Sequence, residues 1–357
     1  MNMNNPSYVN LLASTSFAKA QAYLDELKSA KQIAGKRLQK CLATRSLASL
    51  SVTEFIECLL NTKKTQIFAE SSVFGDGSDW KLAELTLLGD ISMAMEVEVF
   101  DNGLHYSPAT HSSPFNALLI YTPGALLRNG TGHLPADWSE VITDDQINFP
   151  AFRTLYERRL LPCLLYANEV ARAKGVKTII TIPGLGCGQF AGKFKGQLGE
   201  ILKQTLLSLL TQYAAQLSSV HAIYYDPFDE CDNERFEIAH LSLLVRPLTK
   251  DNEDKGQLCL PSDYEDPNDD FSDCSLTSLV AWDHVSWPGN DFYIGSRATD
   301  DGVKAAATST MKVMTSLSGN YCMDSYSYQP PKGFRTWGDV VSKNKIPLLC
   351  SNNVKVY

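Results

Sequence analysis

The chain has 357 residues, 44% of them hydrophobic, and its 32 Lys and Arg against 40 Asp and Glu leave a net charge of -8. That composition can bury a sizeable core, which excludes a disordered or fibrous chain. The acidity argues against a nucleic-acid partner, which needs a concentrated basic surface, and no apolar run approaches the ~18–20 residues of a membrane span.

In chain order, the apolar spacing of Leu11, Leu12, Ala18, Tyr23, Leu24 and Leu27 predicts a helix over 8–46. A short helix follows at 52–61, with Thr53 or Ser51 as its cap, and Gly-Asp-Gly-Ser-Asp at 75–79 marks a turn. Residues 1–80 therefore read as a helical N-terminal segment. From residue 81 strands alternate with helices, the pattern of a sheet covered on both faces. Strands are expected at 92–99, 117–122, 177–182, 222–226, 241–246, 278–281 and 354–357, and helices at 151–174, 196–217 and 301–317. The fold class is α/β, a three-layer α/β/α arrangement over 81–357. Between two of the strands, at about 249–274, lie nine acids (Asp251 to Asp273) against Lys250 and Lys255, which reads as an exposed insertion.

Residues 177–210 run KTIITIPGLGCGQFAGKFKGQLGEILKQTLLSLL, which reads strand, glycine-rich turn, helix. Glycines let backbone approach a ligand closely, so that several N–H groups converge on an anion near a helix start. Gly184, Gly186 and Gly188, with Cys187, Gln189 and Phe190 between and beside them, are the candidate phosphate cradle; a plain tight turn is the simpler alternative. Gly186-Cys-Gly188-Gln-Phe-Ala191 also fits a dinucleotide fingerprint. The next strand-terminal acid, Asp226, falls too far along for that reading, where an acid about twenty positions on is wanted. A strand ending in Pro before such a loop resembles the second phosphate-binding loop of macrodomains, the fold that binds ADP-ribose.

Residues 281–313 hold a second constellation, in which a strand leads into aromatics, Gly, Asn and the acids Asp283, Asp291 and Asp301. A glycosidic bond breaks through an oxocarbenium-like state, which carboxylates can stabilise or serve by activating water. Ordinary roles fit too: Asp300 and Asp301 at a helix start, Asp291 in a turn, Asp283 as an Asx-type cap. The spacing of eight and then ten residues, within WDHVSWPGNDFY and RATDDG, resembles the motif of macrodomain ADP-ribosyl hydrolases of the effector class.

That resemblance implies catalytic roles for Asp283, Asp291 and Asp301, and ligand contacts from the glycine loop and from Asn290 and Phe292. It also implies ADP-ribose as ligand and product, no cofactor, and a substrate that is ADP-ribosylated ubiquitin, modified on arginine, or another ADP-ribosylated protein. The chain lacks an early Asn-Ala-Ala-Asn stretch and the Gly-Gly-Gly and Gln-Glu-Glu signature of poly(ADP-ribose) glycohydrolases, which counts against polymer cleavage. A non-catalytic ADP-ribose reader is the second reading and a dinucleotide-dependent oxidoreductase a distant third.

The six histidines offer no helical i, i+4 pair, and no metal site is expected. Nine scattered cysteines without Cys-x-x-Cys read as reduced thiols. With no secretory signal in the first thirty residues, the expected location is cytoplasmic, and for a secreted effector the host cytosol. Cys187 reads as small filler in the loop, and His284 as a satisfied structural histidine.

Overall fold

A computed structural model describes residues 7–67, 79–129, 134–350 and 353–357. Thirteen strands occur among them: β1 (Tyr8–Leu12), β2 (Ser92–Asp101), β3 (Thr110–Pro123), β4 (Ile142–Thr143), β5 (Gln146–Ile147), β6 (Thr178–Pro183), β7 (Val220–Asp226), β8 (Glu234–Ile238), β9 (Leu241–Val245), β10 (Ser275–Trp282), β11 (Asn320–Cys322), β12 (Ser327–Gln329) and β13 (Val354–Val356). The helices are α1 (Ser14–Lys28), α2 (Lys36–Leu42), α3 (Val52–Leu60), α4 (Leu82–Gly89), α5 (Trp138–Val141), α6 (Phe149–Lys174), α7 (Leu198–Tyr213), α8 (Asp300–Ala307), α9 (Thr310–Thr315) and α10 (Trp337–Asn344).

Nine strands form one mixed sheet in the order β13-β1-β2-β3-β10-β6-β7-β9-β8. Its centre, β3-β10-β6-β7-β9, is parallel, while β2 pairs antiparallel with both β1 and β3, and β8 antiparallel with β9. The central strands are buried on both faces, so β6 reads as a continuous apolar and Thr run rather than an alternating one. Alternate strand residues pack to opposite sides. Val280 and Tyr121 join α1 to α4 and α8 to α10, while Leu279 and Ile120 join α5, α6 and α7. The expected three layers are present.

Helix α6 runs from an Asn148 cap, whose side chain accepts from Ala151 N, to Gly175 in the left-handed conformation (φ 70°), a standard C-terminal stop. Helix α3 begins with a reciprocal capping box between Ser51 and Glu54.

The helix expected over 8–46 is a strand and two helices, α1 ending at Lys28 and α2 starting at Lys36. Tyr8–Leu12 is a sheet strand whose buried Leu11 and Leu12 face opposite layers, and a helical period cannot account for that. The helix expected over 301–317 is two helices. At Thr308 the backbone becomes extended, and Ser309 exchanges hydrogen bonds with Glu98 of β2, N to O at 2.9 Å and Oγ from Glu98 N at 2.9 Å.

The acidic insertion is also not a free loop. Leu258, Tyr264 and Phe271 are buried in the core, the Tyr264 hydroxyl donates to Gly256 O (2.6 Å), and Arg235 and Arg246 pair with Asp266 and Asp269. Except for Asp79, the turn expected over 75–79 lies outside the described residues. No described helix is long and apolar enough to cross a membrane.

Candidate functional site

Because β3, β10 and β6 are parallel neighbours, the loops that follow them, starting at Gly124, Asp283 and Gly184, leave the sheet at one edge. In open α/β sheets this carboxyl edge is where ligands bind. Two of these loops were expected from the sequence. The loop after β3 was not, although Pro123-Gly124 repeats the Pro183-Gly184 that ends β6.

The first and third loops meet backbone to backbone. A Cβ on Gly124 would fall 2.2 Å from Gly186 N, and Gly186 itself has φ +78°; both positions require glycine. Leu127 N donates to Phe190 O (2.9 Å) and the Arg128 guanidinium to Gln189 Oε1 (2.9 Å). Tyr156 of α6 clasps both loops, donating from its hydroxyl to Leu185 O (2.5 Å) and accepting from Ala125 N (3.0 Å). A cleft of about 430 Å³ opens here, lined by Arg128, Gly188, Gln189, Gly192, Lys193 and Lys195. Gly188 faces open space. Cys187 does not: its thiol is buried in the core with a pKa pushed well up by burial, so it is no nucleophile.

The aspartates gather on the loop after β10. Asp283 Oδ1 accepts from Val285 N and Ser286 N (both 2.6 Å), an Asx-type turn, and Oδ2 accepts from Asn290 Nδ2 at 3.5 Å. Asp291 Oδ2 accepts from Ala298 N (2.8 Å) and Thr299 N (3.2 Å), and its Oδ1 from the Thr299 hydroxyl (2.5 Å). Asp301, in the first turn of α8, accepts from Gly289 N at 3.3 Å. Burial, then the charges of Asp283, Asp291 and Asp300, push Asp301 well above the ordinary carboxylate range, which favours its protonated form. Asp283 is half-buried, while Asp291 and Asp301 are buried.

Asp300 points elsewhere. It accepts from Ala281 N (2.9 Å) and pairs with the buried Lys304 (2.9 Å), and burial, which raises its pKa, is outweighed by Lys304 and His105. Asn290 accepts from Ile67 N (2.7 Å) and so belongs to the site's frame. Phe292, expected against the ligand, is buried in the core with Trp282, Trp287 and Tyr293, and it presents no free ring face to stack on adenine.

Beneath the three loops lies a buried ionic network that the sequence reading missed. Arg159 donates to Asp137 (2.7 and 3.0 Å), Asp90 (3.3 Å) and Gly124 O (2.8 Å), Arg158 bridges Asp90 and Glu140, and Asp137 accepts from Leu126 N (2.7 Å). Burial works against the Asp137 charge, but Arg159 and His284 outweigh it and hold the carboxyl well below its usual range. His284 is not the satisfied histidine expected: it is buried, its Nε2 lies 3.4 Å from Asp137, neither ring nitrogen makes a hydrogen bond, and burial pushes it toward the neutral form, while its ring centroid lies 6.3 Å from that of Phe190. A dyad of adjacent arginines inside the predicted α6 was the one available signal, since a buried face rarely carries them unpaired.

The mixed sheet between helical layers, with a glycine loop and a polar loop leaving neighbouring strands at its carboxyl edge, fits the macrodomain class. No curated protein matches the chain. The family model described as macrodomain effector MavL matches residues 8–334, nearly the whole length, and the chain belongs to that family. Among the described residues no cluster of three metal-ligating side chains occurs.

Proposed function

We propose that this protein is an ADP-ribosyl hydrolase that removes ADP-ribose from a modified arginine of a protein, with ubiquitin as the substrate. The observation that carries the reading is the grouping of Asp283, Asp291 and Asp301 on the loop after β10 and the first turn of α8, next to the strand that leads into the glycine turn, with burial and the neighbouring acids pushing Asp301 well above the ordinary carboxylate range. A carboxyl group pushed toward its protonated form is suited to general-acid work.

In this reaction water adds to the distal ribose C1, the C1–N bond to the guanidino group breaks, and its electron pair leaves with the nitrogen. Asp301 gives the nitrogen its proton and regains one from the attacking water. Asp291 and Asp283 supply negative charge to the oxocarbenium-like state and orient the ribose hydroxyls. The amides around Gly186 and Gly188 take the diphosphate. Family membership supports ADP-ribose as the ligand class.

A second reading rests on the geometry of Asp291. Both of its oxygens are engaged by internal donors, and it is buried, as is Asp301. In a reader of ADP-ribose these acids would only shape the loop. Incubation with arginine-ADP-ribosylated ubiquitin and mass spectrometry of the products decides between the two. Loss of one ADP-ribose mass supports the hydrolase, and an unchanged substrate that still binds supports the reader.

A further inference from the structure

Lys63 follows α3, in the part of the chain expected to be a separate helical lead-in, yet the segment 62–67 is strapped along the aspartate loop. Lys64 N donates to Val285 O (2.7 Å), Trp287 N donates to Lys64 O (2.7 Å), and Lys64 bridges Ser286 in parallel. Ile67 N closes the strap on Asn290 Oδ1 (2.7 Å). Lys63 itself is 5% exposed. Its ammonium donates to His284 O (2.7 Å) and Asp283 O (3.3 Å), and it stands 3.8 Å from the centroid of the Trp282 ring.

Burying an ammonium whose acceptors are neutral carbonyls costs several kcal/mol in general, so a plain structural part here would be better made from methionine. The geometry makes use of the charge: the carbonyls of Asp283 and His284 both turn toward the ammonium, which fixes the peptide that carries the half-buried acid, and the Trp282 ring covers it. We propose that Lys63 is a positioning residue of the hydrolytic site, holding the Asp283–His284 turn in place through the two carbonyls it donates to. This rests on the hydrolase reading. Burial lowers the Lys63 pKa to about 7, with Asp283 and Asp301 working the other way. The charge is therefore partly present at neutral pH.

The test compares the wild-type chain with Lys63→Met, which has similar length and no charge, and with Lys63→Arg, which keeps the charge and donors. Melting temperature, affinity for free ADP-ribose by calorimetry, and kcat and KM on an arginine-ADP-ribosylated protein are measured for each. Lys63→Met is expected to melt no lower than wild type, to bind ADP-ribose within about threefold, and to lose about tenfold or more in kcat with little change in KM. Lys63→Arg is expected to recover part of kcat. If Lys63→Met does not fold, Lys63→Gln, which keeps an N–H donor without the charge, gives the same comparison.

Wild-type kcat in the uncharged variant overturns the proposal, as does a loss of kcat that follows loss of stability and ADP-ribose affinity in proportion. A wild-type chain that releases no ADP-ribose overturns the hydrolase reading and this proposal with it. An active wild type with an unimpaired Lys63→Met overturns this proposal alone.

Discussion

Gly302→Ala tests the placement of Asp291 with a single methyl group. Gly302 lies in the first turn of α8, where Gly to Ala normally gains up to about 1 kcal/mol. Here the new Cβ would fall 1.9 Å from Asp291 Oδ1 and 2.8 Å from Thr299 Oγ1. A relaxed carbon–oxygen contact needs about 3.2 Å or more, so the carboxylate must retreat by roughly 1.3 Å. That distance breaks most of its bonds to Ala298 N, Thr299 N and the Thr299 hydroxyl. Hydrogen bonds to a charged group contribute about 1.5–3 kcal/mol each. Losing two, less the helical gain, gives a net destabilisation of about 2–5 kcal/mol. Urea unfolding measures it, with calorimetry and ADP-ribose release followed in parallel. In an Asp291→Ala background the methyl fills the space left by the carboxylate, so the two substitutions should fall short of additive by a similar amount. A Gly302→Ala variant more stable than wild type, with additive behaviour in the double variant, would refute this geometry.

A Cβ at Gly188 meets no atom within 4 Å, so the cost of Gly188→Val in urea unfolding should be limited to backbone strain of about 1–3 kcal/mol at φ -84°, ψ -116°; it should sharply reduce ADP-ribose affinity by calorimetry, because the side chain enters the space assigned to the diphosphate. Asp300→Ala should destabilise by about 3–5 kcal/mol in urea, because it strands the buried Lys304 and frees Ala281 N; this replaces the expectation that Asp300 is only a helix-start acid. Stability should also carry a trace of Lys63, whose ammonium faces the Asp283 and His284 carbonyls and the Trp282 ring. Its folded pKa, about 7, lies below its ordinary 10.5, so between those values the unfolded chain holds a proton that the folded one lacks. Stability then rises with pH across that window by up to about 1.4 kcal/mol per unit, and unfolding curves of Lys63→Met should lack the rise.

The parts of the fold legible in the sequence are those where one physical pattern dominates. The central strands β6, β7, β9 and β10 are short apolar runs between turn signals, and α6 has an amphipathic length, an Asn cap and a Gly stop. Strand β1 was hidden because its five residues flow into a helix with only Ala13 between, and both faces of the strand are buried. The break at Thr308 was hidden because its cause, pairing with Glu98 of β2, lies more than two hundred residues away. The site divides in the same way. Glycines 184, 186 and 188 and the three aspartates announce themselves by local composition, whereas Lys63, Tyr156, Arg159 and Asp137 act through contacts that only the packed chain creates. Phe292 was misassigned because an aromatic beside a candidate loop looks the same in sequence whether its ring faces a ligand or the core.

The central claim is that the acids on the β10 loop perform chemistry and do not merely shape a binding pocket. Its most direct test is the rate of ADP-ribose release from an arginine-ADP-ribosylated protein by wild type, Asp291→Ala and Asp301→Asn, each measured where it is folded and beside its own affinity for free ADP-ribose. Burial pushes Asp301 toward its neutral form, and asparagine matches that form in size without an acidic proton, so stability should survive while the proton is lost. The account predicts release by the wild type and a fall of about a hundredfold or more in both variants, with ADP-ribose still bound by Asp301→Asn. Near-normal release by the two variants, or none by the wild type despite tight ADP-ribose binding, would contradict it.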